Sequence, residues 1–230
     1  MTFMAIAAVI FDWGGTLTPW HAIDHQELWH DVCAPHFPAE DAASVAAAIV
    51  TAEDGFWRQC ESVHRSATLA HVFERAGVTA HDALLDSYFR AWEPHTYTDP
   101  EVAPLLRELR RRGIRVGVLS NTLWPRELHE RVFLRDDVLG LIDGAVYSSE
   151  IPWTKPHPEA FRAAMAAVGV SDPAACVFVG DRPYDDIYGA KSLGMRAVLV
   201  PHSTVPAYDG ALPDAVISRL SELLPHLDNW

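Results

Sequence analysis

The stretch FDWGGTLT, from Phe11 to Thr18, follows the short apolar run AIAAVIF (5–11) near the start of the chain. The run is continuously apolar rather than alternating, which is typical of a strand buried on both faces of a parallel sheet. The two glycines that follow Asp12 predict a tight loop at the end of this strand. Asp12 is the only acid of the stretch, so the sequence places one carboxylate at the strand's carboxyl end.

Four further apolar runs predict four more strands: IRVGVLS (114–120), GAVYSS (144–149), ACVFVGD (175–181) and MRAVLV (195–200). Helical patterns separate the later runs. In DPEVAPLLRELRRRG, Asp99 is suited to cap the start of a helix and Gly113 to end it. Strands that alternate with helices form a doubly wound sheet. The sequence therefore predicts an α/β fold, with a Rossmann-like parallel sheet at its core.

About a hundred residues separate the first two predicted strands, far more than a crossover helix needs. Helical patterns cover roughly 22–34, 39–60, 65–77 and 80–93 of this interval. We expect a core formed by residues 1–19 and 98–230, and an all-helical cap formed by residues 20–97. Ligands of such sheets bind beyond the carboxyl ends of the strands, so the cap is expected to cover the site.

The composition excludes some classes of partner. The chain has 230 residues, with 18 Lys and Arg against 31 Asp and Glu, and a formal net charge of -13. This acidity disfavours binding to nucleic acid, which requires a basic surface. The opening apolar run is too short to span a membrane and lacks a basic segment before it. Cys33, Cys60 and Cys176 lie far apart, which predicts reduced thiols in a cytoplasmic protein.

Four motifs follow one another along the chain, three of them at predicted strand ends and one just before a helix. They are DWGGT with Asp12, Gly14 and Thr16; LSNT with Ser120 and Asn121; TKPHPEAF with Lys155; and VFVGDRPYDDIYGA with Asp181, Asp185 and Asp186. In this order they resemble the haloacid dehalogenase-like (HAD) hydrolase superfamily. The helical insertion after the first motif matches one of its cap types.

The resemblance implies a mechanism in which the carboxylate of Asp12 attacks phosphorus and forms a covalent intermediate. It also implies Mg²⁺ as cofactor, because this ion prefers oxygen ligands and offsets the repulsion between carboxylate and phosphate. The implied metal ligands are Asp12, the main-chain carbonyl of Gly14, Asp181 and Asp186. The implied phosphate contacts are Thr16, Ser120, backbone amides near Asn121, and Lys155. The implied substrate is a small phosphorylated metabolite.

Gly14 departs from the pattern of most phosphatases of this superfamily. Their acid at this place protonates the leaving oxygen and then activates the hydrolytic water. Glycine keeps the main-chain carbonyl but supplies no proton, and positioned acid–base catalysis is worth roughly 10² to 10⁴ in rate. The sequence offers His21, Asp24 and His129 as candidate replacements.

Three hypotheses therefore stay open. The first is a phosphatase for esters whose leaving group departs readily, such as anomeric or acyl phosphates. The second is carbon–halogen or carbon–phosphorus cleavage: related dehalogenases carry an aromatic residue in place of Gly14, and phosphonate-cleaving relatives need a cap lysine, whereas Lys155 and Lys191 both lie in the predicted core. The third is a non-catalytic relative that binds a phosphorylated ligand or a protein. Retention of Asp181 and Asp186 favours the first.

Residues near the predicted hinge and after the second motif are candidates for substrate specificity. Trp20 and His21 lie where the chain enters the cap. Trp124 and Arg126 follow Asn121 closely in the sequence. In the cap, Arg58 or Arg65 is suited to meet a second anionic group on the ligand.

Overall fold

The sheet contains six parallel strands in the order β3-β2-β1-β4-β5-β6. The computed structural model describes residues 5–201 and 207–230. The strands are β1 (Ala8–Phe11), β2 (Arg115–Ser120), β3 (Gly144–Tyr147), β4 (Cys176–Gly180), β5 (Arg196–Leu199) and β6 (Ala215–Val216). The chain leaves β1 to build one side of the sheet and returns to build the other, so the predicted doubly wound α/β fold is confirmed.

The central strands are buried because helices cover both faces of the sheet. Alternate residues of β1 show this, since Val9 and Phe11 pack in one apolar cluster while Ala8 and Ile10 pack in another. Strand β4 is divided in the same way between the two clusters. A strand with two dry faces has no polar positions, which explains why the apolar runs of the sequence are continuous.

The helices around the sheet are α5 (Val102–Arg111), α6 (Arg126–Arg135), α7 (Pro158–Ala167), α8 (Gly189–Ser192) and α9 (Leu223–Leu227). Helix α5 buries Leu105 and Leu109 against the sheet and ends before Gly113, whose φ is +76°. Asp99 does not cap α5 directly as predicted. Its carboxylate accepts a hydrogen bond from the backbone N–H of Glu101, in a turn that precedes the helix.

Four helices lie between β1 and β2: α1 (His25–Cys33), α2 (Ala39–Val63), α3 (Leu69–Ala76) and α4 (Asp82–Trp92). They share a buried cluster of their own, which also includes Leu123, Trp124 and Leu128 from the chain after β2. All four predicted helices of this interval are therefore present. Their separate apolar cluster explains how so long an insertion folds without lengthening the sheet.

Helix α3 begins at Leu69, four residues later than predicted. The preceding segment instead pairs with the loop before Lys155: Thr154 N–H donates to His64 O at 3.0 Å, and Ser66 N–H donates to Pro152 O at 3.3 Å. Backbone donors and acceptors engaged in this way are not available to a helix. The segment thus ties the insertion to the loop that carries Lys155.

The edge strand β6 was not predicted. It has two residues, too few to form a recognisable apolar run, and it pairs in register with β5 through Ala215 and Val216. The predicted opening strand at 5–11 is shorter in the structure, and residues 1–4 lie outside the described part. Among the helices of that part, none combines the length and hydropathy that a membrane crossing requires.

Candidate active site

Asp12 is the first residue after β1, and its side chain is buried at the carboxyl edge of the sheet. The loop turns at once, with Leu17 and Thr18 N–H groups both bonded to the Trp13 carbonyl. Gly15 has a φ of +87°, and a Cβ there would lie 2.5 Å from Asp181 Oδ2. Only glycine allows the first loop to approach the carboxylate at the end of β4 so closely.

Lys155 is the cation of the site. Its Nζ donates a hydrogen bond to Asp12 Oδ1 and lies 2.7 Å from Asp186 Oδ1, while its side chain is 2% exposed. Burial by itself lowers the pKa of a lysine, but Asp12 and Asp186 outweigh this and raise the pKa of Lys155. The ammonium group is therefore held charged between two carboxylates.

The side chain of Asn121 positions the backbone of Lys155. Asn121 Oδ1 accepts a hydrogen bond from Lys155 N–H at 2.8 Å, and its Nδ2 donates to Lys155 O at 3.1 Å. This two-point contact joins the end of β2 to the loop before α7. The sequence suggested phosphate contacts near Asn121, but did not reveal that its side chain would be engaged with Lys155.

Three carboxylates converge at this edge of the sheet. One oxygen each from Asp12, Asp181 and Asp186 lies within 4.8 Å of the other two, and all three residues are buried. Both oxygens of Asp181 lack a hydrogen-bond partner among the described residues. Burial, reinforced by the neighbouring carboxylates, raises the pKa of Asp181 to about 8.

Such a cluster fits Mg²⁺, because a hard divalent cation takes carboxylate oxygens as ligands and would satisfy both the charge and the unpaired oxygens. Arg182 N–H donates to Asp186 Oδ2 at 2.9 Å, which fixes the orientation of that carboxylate. Burial raises the pKa of Asp12, although Lys155 opposes this effect. The lysine therefore does not fully offset the effect of burial on the Asp12 carboxylate.

The remaining residues of the predicted phosphate site lie nearby. Ser120 and Asn121 line a cavity together with Asp12, Gly14 and Lys155. Thr16 is buried, and its Oγ1 has no hydrogen-bond partner among the described residues. A Cβ built on Gly14 would meet no atom within 4 Å, so the place of the missing acid is open space.

The cavity has a volume of about 400 Å³ and lies between the sheet edge and the helical insertion. From the core, Trp13, Trp124, Arg182 and Asp185 also line it. The insertion contributes the opposite wall: Trp20, His25, Glu53, Asp54, Trp57, Cys60, Glu61, Tyr88 and Trp92. This wall is rich in aromatic rings and carboxylates.

The predicted specificity residues divide into two groups. Trp20 and Trp124 line the cavity, whereas His21 and Arg126 do not. Arg126 is held by Glu150 at 2.6 Å and by Glu130 at 3.0 Å. The imidazole of His21 packs against that of His95, with 5.4 Å between ring centroids.

Arg58 and Arg65, the two arginines of the helical insertion that the sequence suggested for a second anionic group, also lie outside the cavity lining. Arg58 is exposed on α2. The guanidinium of Arg65 stacks on Trp153, 4.0 Å from the ring centroid. Neither residue is placed to meet a second anionic group of a ligand in this cavity.

His25 and Glu53 are the cavity residues that sequence analysis overlooked as a pair. The sequence of α2 contained a signal for Glu53, which lies on the same helix face as the buried residues Ala42, Ala46 and Ile49. Spacings of three and four residues define one face of a helix, so a carboxylate on this apolar stripe indicates a buried partner. Its partner in space could not be identified, because it belongs to another helix.

Comparison with known proteins agrees with this geometry. The family model described as a haloacid dehalogenase-like hydrolase matches residues 6–194. A phosphatase from Mycobacterium tuberculosis is 32% identical over 231 residues, covering 98% of each chain. A phosphoserine phosphatase from Thermus thermophilus is 30% identical over 161 residues, which span 69% of this chain and 63% of that protein.

Solved structures give the same fold. A HAD phosphatase from Thermococcus onnurineus superposes with a TM-score of 0.66 at 23% identity, covering 96% of this chain and 97% of the other. A 2-haloacid dehalogenase from Pseudomonas syringae pv. Tomato superposes with a TM-score of 0.65 at 27% identity, covering 97% and 98%. The chain belongs to the haloacid dehalogenase-like hydrolase family, and it is a hydrolase.

Proposed function

We propose that this hydrolase is a Mg²⁺-dependent phosphatase, which transfers the phosphoryl group of a small phosphorylated metabolite to Asp12 and then to water. The observation that carries the proposal is the buried cluster of Asp12, Asp181 and Asp186 beside the Lys155 ammonium group. A dehalogenation reaction at carbon gives no reason for the Asp181 carboxylate to be buried beside two others with both of its oxygens lacking a donor among the described residues. The phosphatase relatives at about 30% identity support the same choice.

The reaction has two halves. In the first, an oxygen of the Asp12 carboxylate attacks phosphorus, the bond between phosphorus and the ester oxygen breaks, and the departing oxygen takes up a proton. In the second, water attacks phosphorus, the bond to Asp12 breaks, and inorganic phosphate leaves while the water gives up a proton. The Asp12 carboxylate is regenerated, so the net reaction is hydrolysis.

The remaining groups bind and orient. Lys155 holds Asp12 through its hydrogen bond and provides positive charge next to the transferred group. Ser120, Thr16 and backbone amides near Asn121 would bind phosphate oxygens. Bound Mg²⁺ would supply further charge neutralisation; its ligands would be Asp12, the Gly14 carbonyl, Asp181 and Asp186.

The cavity wall formed by the helical insertion, which we call the cap wall, indicates which charge the leaving group carries. Glu53, Asp54 and Glu61 line this wall, and the basic residues among the cavity-lining groups are His25, Lys155 and Arg182. A second anionic group on the substrate would be repelled by this wall. We therefore propose neutral or cationic leaving groups, with aromatic rings providing apolar contact.

We further propose that residues 20–97 act as the cap over residues 1–19 and 98–230. Closure of such a cap would exclude water and align the phosphate. The backbone bonds from His64 and Ser66 to the loop before Lys155 link cap position to the catalytic lysine. We place the enzyme in the cytoplasm, which is supported by three cysteines that are buried and unpaired.

The test is phosphate release from aryl, acyl, anomeric-sugar and alkyl phosphates, measured with and without Mg²⁺. The control variant is Asp12→Asn, which keeps the size of the nucleophile but cannot form the aspartyl-phosphate. We expect Mg²⁺-dependent release that this variant loses, with faster turnover of readily departing groups.

Two outcomes would contradict the proposal. Equal release from the wild type and Asp12→Asn would leave a non-catalytic role in binding a phosphorylated ligand. Halide release from 2-haloacids without Mg²⁺, lost in Asp12→Asn, would identify a dehalogenase instead. Halide release is the assay to run beside phosphate release, because the 2-haloacid dehalogenase from Pseudomonas syringae pv. Tomato has the same fold as this chain.

A further inference from the structure

The proposed reaction needs a proton at the leaving oxygen, and position 14 cannot supply one. The candidates that the sequence offered do not fill this gap. His129 is fully buried: its Nε2 engages Thr122 Oγ1 at 3.0 Å, its ring stacks on Tyr147, and burial lowers its pKa to about 3. Asp24 accepts a hydrogen bond from Glu27 N–H as the cap of α1.

The cap wall contains a different proton carrier. His25, the first residue of α1, lines the cavity that also contains Asp12 and Gly14. Its Nδ1 lies 3.2 Å from Glu53 Oε2. Because Nδ1 is engaged by the carboxylate, Nε2 is the ring atom left to contact a ligand.

Glu53 is held in place from a second direction. Trp29 Nε1 donates to Glu53 Oε2 at 3.1 Å, and Glu53 is 5% exposed. The side chain of His25 is 41% exposed, so the pair has a buried carboxylate and an accessible imidazole. A carboxylate that fixes one nitrogen of an imidazole selects its tautomer and orientation, which prepares the other nitrogen for proton transfer.

We propose that His25 is a catalytic residue that donates the proton to the leaving oxygen and later accepts one from the hydrolytic water, with Glu53 as its positioning residue. In the first half-reaction the Nε2–H bond breaks as the new O–H bond forms at the departing oxygen. In the second, Nε2 takes the proton that water loses, which restores the imidazolium. The inference rests on the proposed phosphatase activity and concerns its missing acid.

The surroundings of His25 favour the protonated form. Its hydrogen bond to Glu53 raises its pKa, the charges of Glu53, Asp54 and Asp24 act in the same direction, and partial burial opposes them. From α4 the ring meets Trp92, which carries no charge. Lys155, Arg182 and Asp185 face the same cavity from the core.

The first experiment compares His25→Gln with the wild type on an alkyl phosphate and on p-nitrophenyl phosphate. An alkoxide needs a proton to depart, whereas p-nitrophenolate does not. We expect His25→Gln to lower kcat for the alkyl ester about 10²-fold or more. With p-nitrophenyl phosphate, the variant should still release a burst of one equivalent of p-nitrophenolate, followed by slow turnover as the phosphorylated Asp12 accumulates.

The matched control is His30→Gln, on the same helix. His30 is exposed beside Asp31 and does not line the cavity, so this variant should keep wild-type kinetics on both esters. If folded His25→Gln keeps the wild-type kcat for the alkyl ester and shows no burst with p-nitrophenyl phosphate, the proposal is overturned. If the release is the same in Asp12→Asn, the phosphatase proposal itself fails, which is a different result.

The pH dependence separates catalysis from structural support. For the alkyl ester, kcat/KM should fall as pH rises through the pKa of His25. Glu53→Gln keeps an acceptor for Trp29 but removes the charge, so this alkaline limb should move to lower pH. An unmoved limb in Glu53→Gln would overturn the role assigned to the pair.

Rescue gives an independent readout. A side chain at position 14 has open space, so Gly14→Asp can be combined with His25→Gln without displacing a neighbour. We expect the double variant to recover at least tenfold of the alkyl-phosphate turnover that His25→Gln loses. Rescue would exclude misfolding as the cause of that loss. Failure of a folded, Mg²⁺-binding double variant to recover turnover would count against proton transfer as the missing step.

Discussion

The two walls of the cavity hold their charged groups in different ways. On the core wall, Asp12 and Lys155 are in direct contact, Lys155 also contacts Asp186, and all three residues are less than a tenth exposed. On the cap wall, the His25 side chain is 41% exposed, and Asp54 and Glu61 are exposed. The buried groups of the core wall have no water to replace their contacts with one another. The exposed groups of the cap wall can exchange a contact with protein for a contact with water.

This difference follows from the elements that carry the residues. Strand ends fix Asp12 and Asp181 through a backbone that is hydrogen-bonded to neighbouring strands. His25 and Glu53 meet across two helices, so their contact depends on how α1 packs against α2. Changes to the core wall should therefore have large effects on both activity and stability, whereas changes to the cap wall should affect turnover or selectivity with little loss of stability.

The largest effect is expected for Lys155→Met. The substitution leaves buried carboxylates without their cation, and breaking such a contact costs about 3–5 kcal/mol. We expect the free energy of unfolding in urea without Mg²⁺ to fall by about this amount, with phosphate release lost. Lys191→Met is the control, since it removes the other lysine, whose partner Asp214 lies 2.8 Å away at the surface. Equal destabilisation by the two variants would contradict the contrast between the walls.

Asp181→Asn should separate metal binding from folding. Its carboxyl group is buried without a hydrogen-bond donor and its pKa is raised by burial, so we expect removal of this ionisable group to raise Tm in the absence of Mg²⁺ by about 2–4 °C, which corresponds to about 1 kcal/mol. Added Mg²⁺ should raise Tm of the wild type but not of the variant. Asp209→Asn makes the same change on an exposed residue and should retain the Mg²⁺ response. A preserved response in Asp181→Asn would exclude this carboxylate as a ligand.

Trp20→Ala should alter selectivity with little loss of stability. Trp20 is 42% exposed and lines the cavity, with the Arg182 guanidinium 5.7 Å from its ring centroid. We expect relative kcat/KM across the phosphate panel to change several-fold, because about 1 kcal/mol of apolar contact is involved. Tyr97→Ala is the control, as Tyr97 is an exposed ring beside Arg135, outside the cavity lining. Unchanged relative rates in Trp20→Ala would assign that ring to folding alone.

The smallest effect is expected from the His25–Glu53 ion pair. Because the folded protein raises the pKa of His25, its contribution to stability is complete below the unfolded pKa of about 6.5 and is lost as pH rises through the folded pKa. Exposure of His25 limits the contribution to about 0.5 kcal/mol. Between pH 6 and pH 8, urea unfolding should show a loss of stability that is larger in the wild type than in Glu53→Gln by about this amount, because the titration of Asp181 contributes equally to both proteins. If the free energy of unfolding depended more strongly on pH in Glu53→Gln than in the wild type, a stabilising His25–Glu53 ion pair would be contradicted.

The fold was well predicted where the sequence pattern is local. Five of the strands were expected within a few residues of their observed positions, because a strand with two dry faces needs a continuous apolar run. The capping turn at Asp99 and the late start of α3 were not anticipated. Each depends on hydrogen bonds that compete with the helix, and in α3 the partner lies more than eighty residues away in the sequence.

The candidate site was predicted in part. Asp12, Ser120, Asn121 and Asp181 lie at or just after strand ends, so their convergence was expected from a parallel sheet. The role of Asn121 in holding Lys155, and the placement of Arg126 in ion pairs outside the cavity, could not be predicted. Both depend on side-chain partners from distant segments.

The sequence alone determined which residues stand at the edge of the sheet, because parallel strands bring their carboxyl ends to one side whatever the intervening chain does. It also determined that position 14 has no acid. Only the tertiary structure decided what faces that gap. The meeting of His25 with Glu53 requires two helices to pack side by side, and contacts between helices are set by the shape and burial of whole surfaces rather than by any local pattern of residues.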